Sequence, residues 1–182
     1  MDILGVIDGH IGVAEGLKGV CVDIEAVCKV CGEAVLRGNK IILCGNGGSA
    51  ADAQHIAAEF VGRFVKERRG LAALALTVDT SALTAIGNDY GFDEVFARQL
   101  SALGRAGDVF IGISTSGNSR NVVRAVEVGL GMGVVCVGLL GGSGGVLKGM
   151  VDLSVVVPSL VTARIQEMHI LVGHIVCEYV DS

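Results

Sequence analysis

In the run Lys40-Ile-Ile-Leu-Cys-Gly45 every residue after the lysine is apolar, and the run ends in glycines and opens directly into a helical stretch; the same unit returns at Asp108-Val-Phe-Ile-Gly-Ile113. A strand without polar alternation is covered on both faces, which is the condition of a parallel sheet held between two helix layers. Ala72 to Val78, Val134 to Leu139 and Leu153 to Val157 bring the set to about five strands. Between them, helical periodicity predicts segments from Ser49, as a capping residue, to about Val65, from Thr80 to Ile86, from about Phe92 to Leu103, and again after Ser119. At the start, Ile11, Ala14, Leu17, Val20, Ile24, Val27, Val30 and Val35 recur at three and four, predicting a helix over about 8–37. Gly12, Gly16 and Gly19 weaken that segment, and a long closing helix is expected over about 161–180. The expected fold is α/β, a doubly wound parallel sheet with right-handed connections, in one domain spanning 1–182. Ligands of such sheets sit outside the carboxyl ends of the strands, where this chain carries its Gly-rich and Ser-rich loops.

Composition narrows the functional classes. A chain of 182 residues that is 51% hydrophobic builds one sizeable core. Fourteen basic against nineteen acidic residues leave a net charge of −5, which argues against a nucleic-acid partner, since binding phosphate backbones needs basic surface. Val128 to Leu147 carries no charge and has the length of a membrane span, but its eight glycines break it into a buried strand, Val134–Val137, and a loop. No membrane is expected. Without an export signal, six cysteines read as reduced thiols and the compartment as cytoplasmic. Cys28-Lys-Val-Cys31 has redox or zinc spacing, yet it lies in a helical stretch with no second pair, so packing is the favoured role.

Two loops and two helices carry the candidate chemistry. Gly45-Asn-Gly-Gly-Ser-Ala50 satisfies the loose dinucleotide pattern, but the nearest strand-end acid, Asp79, comes 34 residues after Gly45 rather than about 20. No nucleotide cofactor is expected. The second loop sets Ser114, Thr115, Ser116 and Ser119 around Gly117 at a helix start. These residues serve either as turn and cap, or as a cradle for a phosphate monoester; four hydroxyls in six positions favour the cradle. His55 and Glu59, four apart, project from one helix face with Asp52 a turn earlier, as a surface ion pair or as a ligand-facing base. The closing helix carries Gln166, Glu167, His169 and His174; Gln166 and His174 differ by about 80° around the axis, close enough to flank one pocket. His174 is either a hydrogen-bonded core residue or an acid/base group near neutrality.

Five ordered blocks make a resemblance: Leu-Cys-Gly-Asn-Gly-Gly-Ser at 43–49, His55-x3-Glu59-x3-Arg63, Gly-Asn-Asp-Tyr-Gly-Phe at 87–92, Ile-Ser-Thr-Ser-Gly-Asn-Ser at 113–119, and Arg-Ile-Gln-Glu-Met-His-x4-His at 164–174. Together they resemble the phosphoheptose isomerases of the sugar isomerase domain superfamily, over nearly the whole chain. The resemblance implies conversion of sedoheptulose 7-phosphate to D-glycero-D-manno-heptose 7-phosphate, the first step toward bacterial ADP-heptose for lipopolysaccharide and other surface glycans. It implies a homotetramer and zinc. It assigns Ser114, Thr115, Ser116 and Ser119 to the phosphate, and Asn46, Gly47, Gly48, Asn88 and Asp89 to sugar contacts. His55, Glu59, Gln166 and His174 fall to the zinc, with Glu59 and Gln166 also at the substrate and Glu59 and His174 as the catalytic acid/base pair. Some superfamily members are instead non-catalytic, binding sugar phosphates or associating with the bacterial replication initiator; the latter lack equivalents of Glu59 and His174, which this chain has. Some isomerases carry an acid where this chain has Ala163, so no contact assigned to that carboxylate transfers.

Overall fold

The computed structural model describes residues 1–182. Five parallel strands, β1 (Ile41–Gly45), β2 (Ala73–Ala75), β3 (Val109–Ser114), β4 (Val135–Gly141) and β5 (Leu153–Val157), form one sheet in the order β2-β1-β3-β4-β5. Alternate residues of each strand feed different cores. Ile41, Leu43, Val109, Ile111 and Ile113 face one layer, and Ile42, Cys44, Phe110, Cys136 and Leu140 face the other. Both faces are dry, which is why the strands read as continuous apolar runs.

The helices are α1 (Ile3–Gly16), α2 (Cys21–Leu36), α3 (Gly48–Val61), α4 (Thr80–Tyr90), α5 (Val95–Leu103), α6 (Arg120–Gly131) and α7 (Thr162–Asp181). α2, α3 and α7 pack on the first face through Val27, Cys31, Ala53, Ile56, Phe60, Met168, Val172 and Val176; α5 and α6 cover the second through Phe96, Leu100, Val122 and Val126. The single helix expected over 8–37 is two helices divided by a tighter turn at Leu17–Val20. Only the second part is core: α1 buries no residue, whereas α2 buries five. α3 starts at Gly48 rather than on a capping Ser49, because Gly47 takes φ +57° at the cap position and Ser49 lies buried in the first turn. It stops at Val61, four residues early, where the chain turns away at Gly62.

All six cysteines are free. Cys28 and Cys31 lie inside the α2 core, and burial pushes the Cys28 thiol up to about 11, so the pair packs and has little thiolate to offer. His169 is fully buried on α7, its Nε2 3.0 Å from the Leu140 carbonyl oxygen at the end of β4. With that nitrogen donating, Nδ1 carries the lone pair and has no partner. Burial, opposed in part by the Leu140 bond, lowers the imidazole from 6.5 to about 4.

A lowered histidine pKa has a definite sign. Between pH 6.5 and 4 the unfolded chain binds a proton that the folded chain refuses, so stability is present above pH 6.5 and drains away as the medium acidifies. The His169 contribution falls by about 2 kcal/mol between pH 7 and pH 5. Denaturant titrations at the two pH values, on the native chain and on His169→Gln, check this: the glutamine keeps a donor for Leu140 and its curve should lose that share of the pH dependence.

Candidate active site

The strand order reverses direction between β1 and β3, so the loops leaving these neighbours diverge to opposite faces and open a crevice at their carboxyl ends. Both candidate loops flank that crevice. A reciprocal amide pair bridges it: Asn46 Nδ2 donates to Asn121 Oδ1 and Asn121 Nδ2 donates to Asn46 Oδ1, each at 2.9 Å. Asn121 is buried and its Oδ1 also accepts from the Val122 N–H at 3.0 Å. Sequence reasoning missed Asn121; its only signal is an amide two residues after the serine loop. The pair also commits much of the Asn46 side chain to holding the loop.

In the second loop Ser114 is buried and its hydroxyl lies 2.9 Å from that of Ser119. Ser119 occupies the cap position of α6 without a side-chain cap; the Val122 N–H goes to Asn121 Oδ1 and the Val123 N–H to the Ser119 carbonyl, which leaves the Arg120 and Asn121 N–H groups for a ligand. Ser116 is exposed, and its Oγ accepts from the Asn118 N–H at 3.2 Å. The loop is clasped from behind by the glycine turn after β4. Leu147 N–H donates to the Gly117 carbonyl at 3.1 Å, and a Cβ on Gly117 would lie 2.0 Å from the Gly144 oxygen. With φ +67° as well, position 117 admits only glycine. A cleft of about 270 Å³ runs beside this loop, with Thr115, Ser116, Gly142, Ser143 and Thr162 in its walls. The Gly142–Gly145 stretch, a mere turn by sequence, thus shapes this loop.

The second half of the site hangs on two helices running side by side. Gly48 meets Gln166, Ile56 meets Gly173, and His55 meets His174, so α3 and α7 lie parallel with an almost constant offset. At Gly173 the approach is closest: a Cβ there would come within 2.4 Å of Ile56 Cδ1. His174 is thereby delivered to His55, with their Nε2 atoms 3.4 Å apart, and His55 Nε2 is 3.1 Å from Glu59 Oε1. Phe64 lies against His174, ring centroids 5.5 Å apart. The ligand atoms of His55, Glu59 and His174 all fall within 4.8 Å of one another. Two imidazole nitrogens facing each other can share only one proton, and a carboxylate oxygen beside them completes a nitrogen and oxygen donor set that suits a zinc ion. One turn earlier, burial raises the Asp52 carboxyl above its ordinary range against the pull of His55, and its Oδ2 has no partner.

Gln166 does not join the trio. It lies two turns up α7, about 12 Å along the axis from His174, where a Cβ on Gly48 would lie 2.6 Å from its Nε2. Asn88 and Asp89 are exposed on the last turn of α4 and bond to each other at 2.8 Å, not to either loop. Ala163 is exposed in the first turn of α7. Glu167, noted on the same helix, lies two turns from His174 and pairs with His10 of α1 at 2.8 Å.

A doubly wound parallel sheet with serine and glycine loops at its switch point defines a class, and the chain matches the SIS domain family over residues 20–141. It belongs to that family. It is 64% identical over 153 residues to the phosphoheptose isomerase of Nitratiruptor sp., covering 84% of this chain and 82% of that one. It is 54% identical over 179 residues to that of Akkermansia muciniphila, covering 98% and 93%. The phosphoheptose isomerase structure from Neisseria gonorrhoeae superposes with a TM-score of 0.93 at 46% identity, covering 98% of this chain and 96% of that one. Within the SIS domain family the chain belongs to the phosphoheptose isomerases, and it is an isomerase.

The α3–α7 contact generates a test. Gly173→Ala in a roomy helix would stabilise by about 1 kcal/mol, but the fully packed Ile56 turns this into a loss of about 1–3 kcal/mol. In an Ile56→Ala background the sign should reverse, and thermal denaturation of the four proteins reads that non-additivity directly.

Proposed function

We propose that this chain interconverts sedoheptulose 7-phosphate and D-glycero-D-manno-heptose 7-phosphate by acid/base proton transfer, at the entry to ADP-heptose synthesis. The observation that carries the reading is the meeting of Glu59 and His174, from helices more than a hundred positions apart in sequence. A ketose–aldose shift moves a proton between adjacent carbons and requires one base, one acid and stabilisation of the charge that develops on oxygen. The Glu59 carboxylate takes the base role and the His174 imidazole the acid role. Ser114, Thr115, Ser116 and Ser119, with the Arg120 and Asn121 N–H groups at the start of α6, hold the phosphate without a cation. Asn46, Gly47, Gly48, Asn88 and Asp89 orient the sugar, and Gln166, placed at the first loop, joins them.

His55, Glu59 and His174 are the residues that would hold a zinc ion. When bound, such an ion supplies Lewis-acid polarisation of the sugar oxygens. Gln166 would reach it only after moving from Gly48. The reading includes a homotetramer, supported by the apolar face of α1: Ile3, Leu4, Val6, Ile7 and Ile11 are each about half exposed or more, a row that a second copy would cover.

Glu59→Gln should fold and assemble as the native chain does while its turnover drops by about 10²–10⁴-fold. A coupled assay of product formation on both proteins, with and without a chelator, checks this. Normal turnover by the variant removes Glu59 from the base role; saturable heptose-phosphate binding with no product, by the native chain, would make it a sensor.

A further inference from the structure

The segment that follows α3, residues 62–70, enters none of the chemistry above, yet it is tied to both α3 and α7. Asp181, on the last turn of α7, has a side chain 3% exposed and accepts from three donors: Arg68 Nε at 2.6 Å, the Val65 N–H at 2.9 Å and the Lys66 N–H at 3.1 Å. The Arg68 guanidinium then reaches up into α3. Its Nη2 donates to the Glu59 carbonyl at 3.1 Å, and its Nη1 to the Phe60 carbonyl at 2.9 Å. These are helix-end carbonyls that no helical N–H satisfies, and a fixed planar fork is the side chain able to take several at once. Burial by itself would raise the Asp181 carboxyl, but the Arg68 bond and the two backbone N–H groups overcome that and hold it below the ordinary range.

We infer that the buried Arg68–Asp181 pair is a positioning clamp for the acid/base site, fixing the Glu59 turn of α3 and Phe64 against His174. The geometry closes a ring. Asp181 stands two turns beyond His174 on the same helix, Arg68 grips the backbone of Glu59, and the Val65 bond pins the residue next to Phe64, whose ring lies on His174. Neither side chain touches the site, so the pair acts only through what it holds. The inference rests on the acid/base reading of Glu59 and His174, and its test is arranged to fail separately.

The chain has four histidines, so protein labelled with ¹³C in the histidine rings gives four signals, assignable by replacement. Asp181→Asn keeps the volume and an acceptor oxygen for the backbone N–H groups while removing the charge; Arg68→Gln removes the fork. Asp108→Asn is the control, because Asp108 forms an equally buried pair with Lys40, 2.5 Å apart, whose hydrogen bonds reach neither α3 nor α7. All three variants should melt lower than the native chain. Only Asp181→Asn and Arg68→Gln should move the His174 ring signal toward its position in Phe64→Leu, with kcat down about ten- to a hundredfold and KM changed by less than about twofold. An unmoved His174 signal, or native kcat in Asp181→Asn, overturns the clamp and leaves the pair a structural ion pair like that of Asp108. Should Arg68→Gln fail to fold, Asp181→Asn decides alone. A native chain inert toward the heptose phosphate overturns the isomerase reading, while the histidine signal still judges the clamp.

Discussion

Two helices of this protein approach each other where one of them has no side chain. Gly173 lets α7 settle onto Ile56 of α3, and the residues on either side of that contact, His55 and His174, are brought together as a consequence. Interiors are close-packed, so the position of a buried contact fixes what lies beside it to within a fraction of an ångström. Both helices follow strands of one parallel sheet, so both begin at the carboxyl edge and descend together, which is why their contacts keep step from Gly48 and Gln166 down to His55 and His174. His55 lies seven residues below the start of α3, about 10 Å along its axis. The trio is therefore set below the edge that carries the serine loop. The proposed substrate, with its phosphate on the last carbon and its reacting atoms the first two, would need such a separation.

Polar locks hold each part of this arrangement in register. At the carboxyl edge the Asn46–Asn121 pair joins the two loops across the switch point. At the amino edge Asp108 gathers Lys40, the Arg105 N–H and Asn39. At the foot of α3 and α7, Asp181 and Arg68 join the helix ends. Each centres on one buried group, Asn121, Asp108 or Asp181, whose hydrogen bonds are satisfied, the condition under which polar groups in a low-dielectric interior add order instead of cost. The sheet supplies stability through apolar area; these three points decide which loop faces which.

The sheet and its helix layers were legible in the sequence because continuous apolar runs and helical periodicity are local signals, each within one element. The serine loop was legible for the same reason, since its hydroxyls are consecutive. What spacing and periodicity could not supply is long-range, and there only the resemblance grouped His174 with His55 and Glu59. His55 and Glu59 share a helix and their pairing follows from spacing, but that His174 would join them at a distance depends on the depth of the α3–α7 contact, which one glycine decides. Angular phase placed Gln166 and His174 on neighbouring faces, and phase says nothing of the two turns of rise between them. Asn121 and Arg68 escaped because a lone amide or arginine looks like surface until its partners, 75 and 113 positions away, are known. The helix break at Leu17–Val20 and the early end of α3 belong to the same class. A glycine weakens a helix locally, but whether the chain turns there is settled by what the next segment is tied to.

The division of labour between the two halves follows from their polar groups. The serine loop offers neutral donors, hydroxyls and helix N–H groups, so it can bind a phosphate and release it without breaking an ion pair, as a turnover cycle requires. The trio offers the opposite, two imidazoles and a carboxylate whose donor atoms converge within 4.8 Å. In the proposed reaction, anchoring would rest on fixed dipoles and chemistry on acid/base groups, with the parallel helix pair setting the distance between them.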